Sequence, residues 1–261
     1  MSGNRVTMAQ VASEAGVAAS TASLVLSGRG TEMRISAAVQ QRVQETAKRL
    51  GYRPNAVSVG LRKGTSSTLG FVSDSVASSR LAGEMIKGAI EAARDRGFMV
   101  FVGETGGNNT LERQLLDAMF DRQVDGVVLG SMRTHEREIP EQLNRTPAVL
   151  LNIGASEPTR LPTVVPDEYQ AGRRAASLVL EAGHRDIHLL GAGPGRADFP
   201  PTALGGQLRL AGILDVLEEE GIAPASGQNV HAWLPPEGWR LTRNLLDNGT
   251  PGAIICFNDR L

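Results

Sequence analysis

Short polar side chains follow closely on apolar runs at three places: Asp74-Ser75 after Leu69–Val72, Asn152 after Leu150-Leu151, and Asn258-Asp259 after Ala253–Phe257. Asp167 lies just beyond Pro162–Pro166. Asn and Asp offer the directional donors and acceptors that hydroxyl-rich ligands need, and an aromatic ring beside them can cover the apolar face of a sugar. Singly, each is an ordinary turn former or helix cap. As a set they matter if the fold gathers the ends of their strands.

Catalytic chemistry finds less support. Gly191-Ala-Gly193-Pro-Gly195-Arg196 follows an apolar run, but Arg196 stands where the third glycine of a dinucleotide fingerprint belongs. Pro194 also removes an amide that could face a phosphate, so a turn is the expected reading. The chain has no phosphate loop of the G-x-x-x-x-G-K-[ST] type and no G-x-S-x-G nucleophile elbow. His184 and His188 are four apart, yet one falls in a loop and the other on a strand, while His135 and His231 have no partner at ligand spacing. No enzymatic activity, cofactor or metal is expected. Cys256 is the single cysteine and lies in Ala253-Ile-Ile-Cys-Phe257, where a buried structural thiol is expected rather than a nucleophile.

The positioning elements follow from the hydrophobic pattern. Strands are expected at Leu69–Val72, Met99–Val102, Gly126–Leu129, Ala148–Ile153, Ile187–Leu190 and Ala253–Phe257. Between them run amphipathic helices: Leu81–Ala93, Leu111–Phe120, a weaker one around Glu136–Asn144, Asp167–Ala182, Leu204–Glu220 and Glu237–Asn248. Such alternation predicts parallel sheets covered by helices on both faces, with small molecules seated outside the carboxyl ends of the strands. Thr159–Pro166 is the expected passage between two such units. The three glutamates closing helix Leu204–Glu220 read as a solvated face. With 261 residues and 41% hydrophobic composition, the chain can bury a full core and exceeds one average domain. It has no run of eighteen apolar residues and no apolar N-terminal stretch, so neither a membrane span nor a signal peptide is expected. One cysteine suits a reducing cytoplasm.

Charge divides the chain differently. Residues 1–64 carry nine Lys/Arg against three Asp/Glu, whereas the other 197 carry eighteen against twenty-five. A basic head on an acidic body is an electrostatic footprint for a polyanion. Within the head, Met8, Val11, Ala12 and Ala15 share one helical face, Gly16 breaks the helix, and Val17, Ala22, Val25 and Leu26 form a second stripe. Two short helices joined at a glycine make a helix-turn-helix, whose second helix fits the major groove. The alternative is a small helical cap with a solvated basic face. Ser36 can cap a third helix from Ala37, and Gly51 can end it. Lys63–Thr68 is a small-polar linker and the clearest domain boundary.

The segment Val6-Thr-Met-Ala-Gln-Val-Ala-Ser-Glu-Ala-Gly-Val-Ala-Ala-Ser-Thr-Ala-Ser-Leu-Val-Leu-Ser-Gly28 resembles the N-terminal signature of the LacI/GalR family of bacterial transcriptional regulators. The resemblance continues through Ile35-Ser36, Val39–Leu50 and Gly51–Ala56, then Leu208–Gly212 and Cys256–Asp259, and so covers almost the whole chain. It implies a helix-turn-helix domain at 1–55 and a hinge helix and linker at 56–67. A periplasmic-binding-protein-like core of two doubly wound parallel-sheet subdomains follows, at 68–160 and 161–261. Family members continue beyond the position of Leu261, so the second subdomain is expected to be incomplete. A sheet edge exposed beside Ala253–Phe257 would then favour low stability or aggregation.

Roles follow by resemblance. Ala18, Ala19, Ser20, Thr21, Ser23, Leu24 and Ser27 occupy family DNA-contact positions, joined by Thr7, Met8 and Asn55. Leu24 departs from the arginine that many members carry, and Ala19 and Ser20 are small, so specificity should differ. Arg5, Arg29, Arg34 and Arg53 are expected at phosphates. Leu61 matches the hinge leucine that wedges into the minor groove, the alternative being packing against its own domain. The weak helix propensity of Ala56–Arg62 suits a segment that orders on its target. Arg209 matches the arginine that members direct into the effector cleft, the alternative being an ion pair with a nearby carboxylate. Trp239 lies where several members place an aromatic beside the ligand, the alternative being core packing. The resemblance thus implies a cytoplasmic, homodimeric regulator, more often a repressor, that binds double-stranded operator DNA under control of a sugar or related metabolite. The rival reading is a small-molecule-binding protein without effective DNA regulation.

Overall fold

The computed structural model describes residues 6–53, 64–79, 82–199, 203–230 and 233–261. The chain forms two compact units, Met1–Ser67 and Thr68–Leu261.

The head contains α1 (Met8–Glu14), α2 (Ala19–Leu26) and α3 (Ala37–Leu50). Thr7 and Gln10 start α1 with a reciprocal capping box: Gln10 N–H donates to Thr7 Oγ1 at 3.3 Å, and Thr7 N–H to Gln10 Oε1 at 2.8 Å. Gly16, at φ +63°, lets the chain turn out of α1. Gly51 ends α3 in the left-handed region, two residues beyond the basic pair Lys48-Arg49. Val11, Ala12, Ala15, Ala22, Val25, Val43 and Ala47 form the core, so both apolar stripes read from the sequence meet α3. Arg42 Nε donates to the Ala15 carbonyl at 2.9 Å, and Arg49 pairs with Glu14 at 3.1 Å, tying α3 to α1.

The second unit holds two sheets. The first runs β2-β1-β3-β4-β5, all parallel, from β1 (Thr68–Ser73), β2 (Met99–Glu104), β3 (Gly126–Arg137), β4 (Ala148–Ala155) and β5 (Thr163–Val164). Side chains alternate across a strand. Phe71 accordingly packs with Met85, Ile86 and Ala89 of α4 (Gly83–Arg94), whereas Val72 packs with Leu116 and Met119 of α5 (Asn109–Asp121). The second sheet runs β7-β6-β8, again parallel, from β6 (Ile187–Leu190), β7 (Ser226–Gln228) and β8 (Ala253–Cys256). Its core joins Ile187, Leu189 and Ile255 to Ala176 and Leu180 of α6 (Glu168–Glu181) and to Leu210, Ile213 and Leu217 of α7 (Leu204–Glu219). A last helix, α8 (Pro235–Asp247), precedes β8.

Three sequence readings need correction. The helix expected around Glu136–Asn144 is instead the end of β3 and a 3-10 turn at Glu141–Arg145, because Pro140 interrupts the segment. The first sheet reaches Val164 through β5, and Ser226–Gln228 adds a strand to the second; both are too short for periodicity to announce. Cys256 is exposed rather than buried, since alternation along β8 turns Ile255 to the core and Cys256 away. The glycine-rich segment after β6 is a turn whose amides are already engaged, Gly193 N–H with Asn229 Oδ1 and Gly195 N–H with Asp198 Oδ2.

Candidate functional site

In the head, Ala22 and Val25 bury one face of α2, leaving Ala18, Ala19, Ser20 and Ser27 exposed and Thr21, Ser23 and Leu24 half-exposed. Ser27 Oγ–H donates to the Leu24 carbonyl at 3.1 Å. Thr7 is occupied as the cap of α1, and Met8 packs on the head core. Arg29 is exposed and paired with Glu32 at 3.1 Å, which raises its affinity for its proton. Arg34 takes φ 55° and Arg53 is exposed. Arg5, Asn55 and Leu61 lie outside the described residues.

In the first sheet, register decides the site. Ser73 pairs with Gly130, and Gly130 with Leu151, so Asp74, just past β1, comes beside Ser131 and Asn152 within β3 and β4, where the β3–β4 register shifts between Gly130 and His135. Asp74 accepts from Ser131 Oγ–H at 2.7 Å and Met132 N–H at 2.9 Å, and also from Ser75 N–H. Asn152, 8% exposed, donates from Nδ2 to the Ser131 carbonyl at 3.1 Å. It does so at φ 58°, a left-handed conformation that Asn tolerates better than most residues. Ser131 also approaches His135 Nδ1 at 3.4 Å. The Ser73 hydroxyl, one residue before Asp74, is buried without a hydrogen-bond partner among the described residues. Sequence reading named Asp74, Ser75 and Asn152 but missed Ser131, although it obeys the same rule of a polar residue behind an apolar strand.

In the second sheet, Arg209 bridges the start of α6 to the end of β8. Its Nε donates to Glu168 Oε2 at 2.9 Å, its Nη2 to the same oxygen, and its Nη1 to the Phe257 carbonyl. Glu168 is buried and Arg209 half-buried. A β-carbon on Gly205 would stand 3.0 Å from Thr134 Cβ and 3.3 Å from Glu168 Oε1, so this pair lies where α7 meets the extension of β3. Asn258 Oδ1 accepts from the amides of Arg260 and Leu261, each at 3.0 Å, while Asp259 is exposed. Asp167 caps α6 by accepting from Gln170 N–H at 3.0 Å and faces solvent. Trp239 is 65% exposed on α8, with the Arg243 guanidinium 5.5 Å from its ring. The aromatics that do gather here are Phe199, Trp233 and Phe257, with centroids 5.5–6.2 Å apart. Sequence reading missed Phe199 and Trp233, because the turns that carry them have no periodicity.

The chain thus comprises a helix-turn-helix head and a second unit of two parallel sheets. The description "Bacterial regulatory proteins, lacI family" matches residues 7–55, and "Periplasmic binding proteins and sugar binding domain of LacI family" matches 67–261. The chain belongs to the LacI family of bacterial regulatory proteins. It is 31% identical over 256 residues to the HTH-type transcriptional repressor CytR of Escherichia coli, covering 97% of this chain and 72% of that one. It is 31% identical over 183 residues to catabolite control protein A of Priestia megaterium, covering 70% of this chain and 54% of the relative. Among solved structures, the lac repressor dimer bound to operator and the anti-inducer ONPF superposes with a TM-score of 0.79 at 23% identity, over 98% of this chain and 75% of that one. That likeness bears on the fold.

Proposed function

We propose that this chain is a transcriptional repressor acting in the cytoplasm as a homodimer. In this reading α2 enters the major groove of an operator, and residues 56–67 form the hinge. A hydroxyl-rich sugar or related metabolite binds between subdomains 68–160 and 161–261. The observation that carries the effector half is the junction of Asp74, Ser131 and Asn152 where β1 ends beside β3 and β4, with Arg209 and Asn258 at the end of the other sheet. Effector binding changes operator affinity by the coupling free energy between the two sites. A gel shift on genomic fragments, with and without candidate sugars, tests the reading. A retarded complex released by one sugar supports it; sugar binding without any retarded complex refutes the regulatory half.

A further inference from the structure

The surface that α2 offers to DNA has an unusual chemistry. From Ala18 to Ser27 the sequence is Ala-Ala-Ser-Thr-Ala-Ser-Leu-Val-Leu-Ser, with no charged side chain and no amide. Ala22 and Val25 are spent on the head core. Ala18, Ala19 and Ser20 are exposed at the start of the helix, and half-exposed Leu24 lies one turn beyond Ser20. The Ser27 hydroxyl already donates a hydrogen bond to the Leu24 carbonyl. The next arginine along the chain, Arg29, lies past the helix end and is held by Glu32 at 3.1 Å.

Bidentate recognition of guanine needs Arg or Lys, and that of adenine needs Asn or Gln. The helix has none of these. In the major groove only thymine presents an apolar group, its C5-methyl, and only apolar side chains complement it. We propose that α2 reads thymine methyl groups, with Ala19 and Leu24 as the reading side chains and the hydroxyls of Ser20 and Thr21 as secondary contacts. Specificity in each half-site is then set by where thymines stand and by exclusion of bases that offer Leu24 only polar atoms. This inference rests on the DNA-binding reading of the head.

The test selects duplexes from a randomised pool on the whole chain, then replaces each enriched thymine with deoxyuridine. That change deletes the methyl and leaves base pairing and phosphates intact. Each thymine facing α2 should lose about fourfold in affinity, the value of one apolar carbon removed from contact. At the same positions 5-methylcytosine should bind better than cytosine, because it restores a methyl at the same place in the groove. Leu24→Ala should abolish the deoxyuridine penalty at one position while binding in low salt persists. Leu24→Arg should shift the selected base there toward guanine. Equal binding of thymine and deoxyuridine duplexes at every enriched position overturns the inference and leaves the regulatory reading standing. A motif built on guanine without thymine does the same. A pool that enriches no sequence overturns sequence-specific binding itself.

Discussion

Arg209 directs two of its donors at one oxygen of Glu168 and a third at the Phe257 carbonyl, so a single guanidinium joins the start of α6 to the end of β8. The pair is largely desolvated. Removing one partner of a buried ion pair strands the other's charge and costs about 3–5 kcal/mol. Arg209→Ala should therefore lower stability by an amount of that order, whereas Glu168→Gln, which keeps an acceptor, should lose less. If Arg209 also touches the effector, Arg209→Ala weakens effector binding at least tenfold, about 1.4 kcal/mol. Denaturant melts and titration calorimetry separate the two roles. Normal effector affinity in a destabilised mutant assigns Arg209 to the fold alone.

Leu61 lies outside the described residues, and its role rests on the family resemblance. A leucine wedge unstacks base steps and contributes only where the duplex is bent onto the protein. Leu61→Ala should weaken operator binding while sparing non-specific duplex, whose affinity comes from phosphate contacts and falls linearly in log salt. Salt titrations on operator and random DNA measure both. Equal loss on the two duplexes counts against the wedge.

Much of this architecture was legible because its signals are local. Gly16 and Gly51 punctuate the head, and the stripe Met8, Val11, Ala12, Ala15 defines a buried face without reference to the rest of the chain. The pattern of a polar residue behind an apolar run found Asp74 and Asn152, although β4 runs on past Asn152 to Ala155. It could not show that Ser131 joins them, because that depends on the register among β1, β3 and β4, a long-range property. The arginine at 209 was found by resemblance, but its partner Glu168, 41 residues earlier, is visible only in three dimensions. Trp239 was found by resemblance, at a position where family members place an aromatic beside the ligand, and it is exposed on α8, whereas Trp233 packs against the core of the second sheet.

Acid should weaken the ion pairs and hydrogen bond that join α6, α7 and the turn after β6. Tyr169 Oη–H donates to Asp215 Oδ2 at 2.6 Å, Arg196 pairs with Asp215 and Glu218, and Arg173 grips Glu219 through both terminal nitrogens. The tyrosine hydrogen bond first, then Arg196, holds the Asp215 carboxyl below its ordinary 3.8. Arg173 lowers Glu219 from 4.5. A carboxyl lowered on folding stabilises fully above its unfolded value and is lost as pH falls through the folded one. Urea midpoints should accordingly stay level with respect to these groups down to about pH 5, then decline on further acidification. Tyr169→Phe should flatten the part of that decline due to Asp215. An unchanged acid profile in the variant would show that the hydroxyl contributes nothing there.

Two glycines set the approach of α6 to α7. A β-carbon on Gly172 would overlap the Arg209 carbonyl, and one on Gly212 would overlap the Tyr169 carbonyl, so the helices touch backbone to backbone in a reciprocal pair. Neither carbonyl can swing aside as a flexible side chain would. Alanine in a helix interior gains about 0.5–1 kcal/mol over glycine in propensity. Forcing a methyl into a packed contact costs about 1–3 kcal/mol, occasionally more. Here the contact wins, because the whole of α6 must lift from α7 to admit the methyl. Gly172→Ala and Gly212→Ala should each lower stability by about 1 kcal/mol or more on that balance. Gly88 in α4 is the control: a β-carbon there meets nothing within 4 Å, so Gly88→Ala should stabilise by about 0.5–1 kcal/mol. Chemical denaturation of the three variants checks the set. If Gly172→Ala gains stability as Gly88→Ala does, the two helices do not meet at these glycines, and the close seat of Arg209 beside Glu168 loses its structural cause.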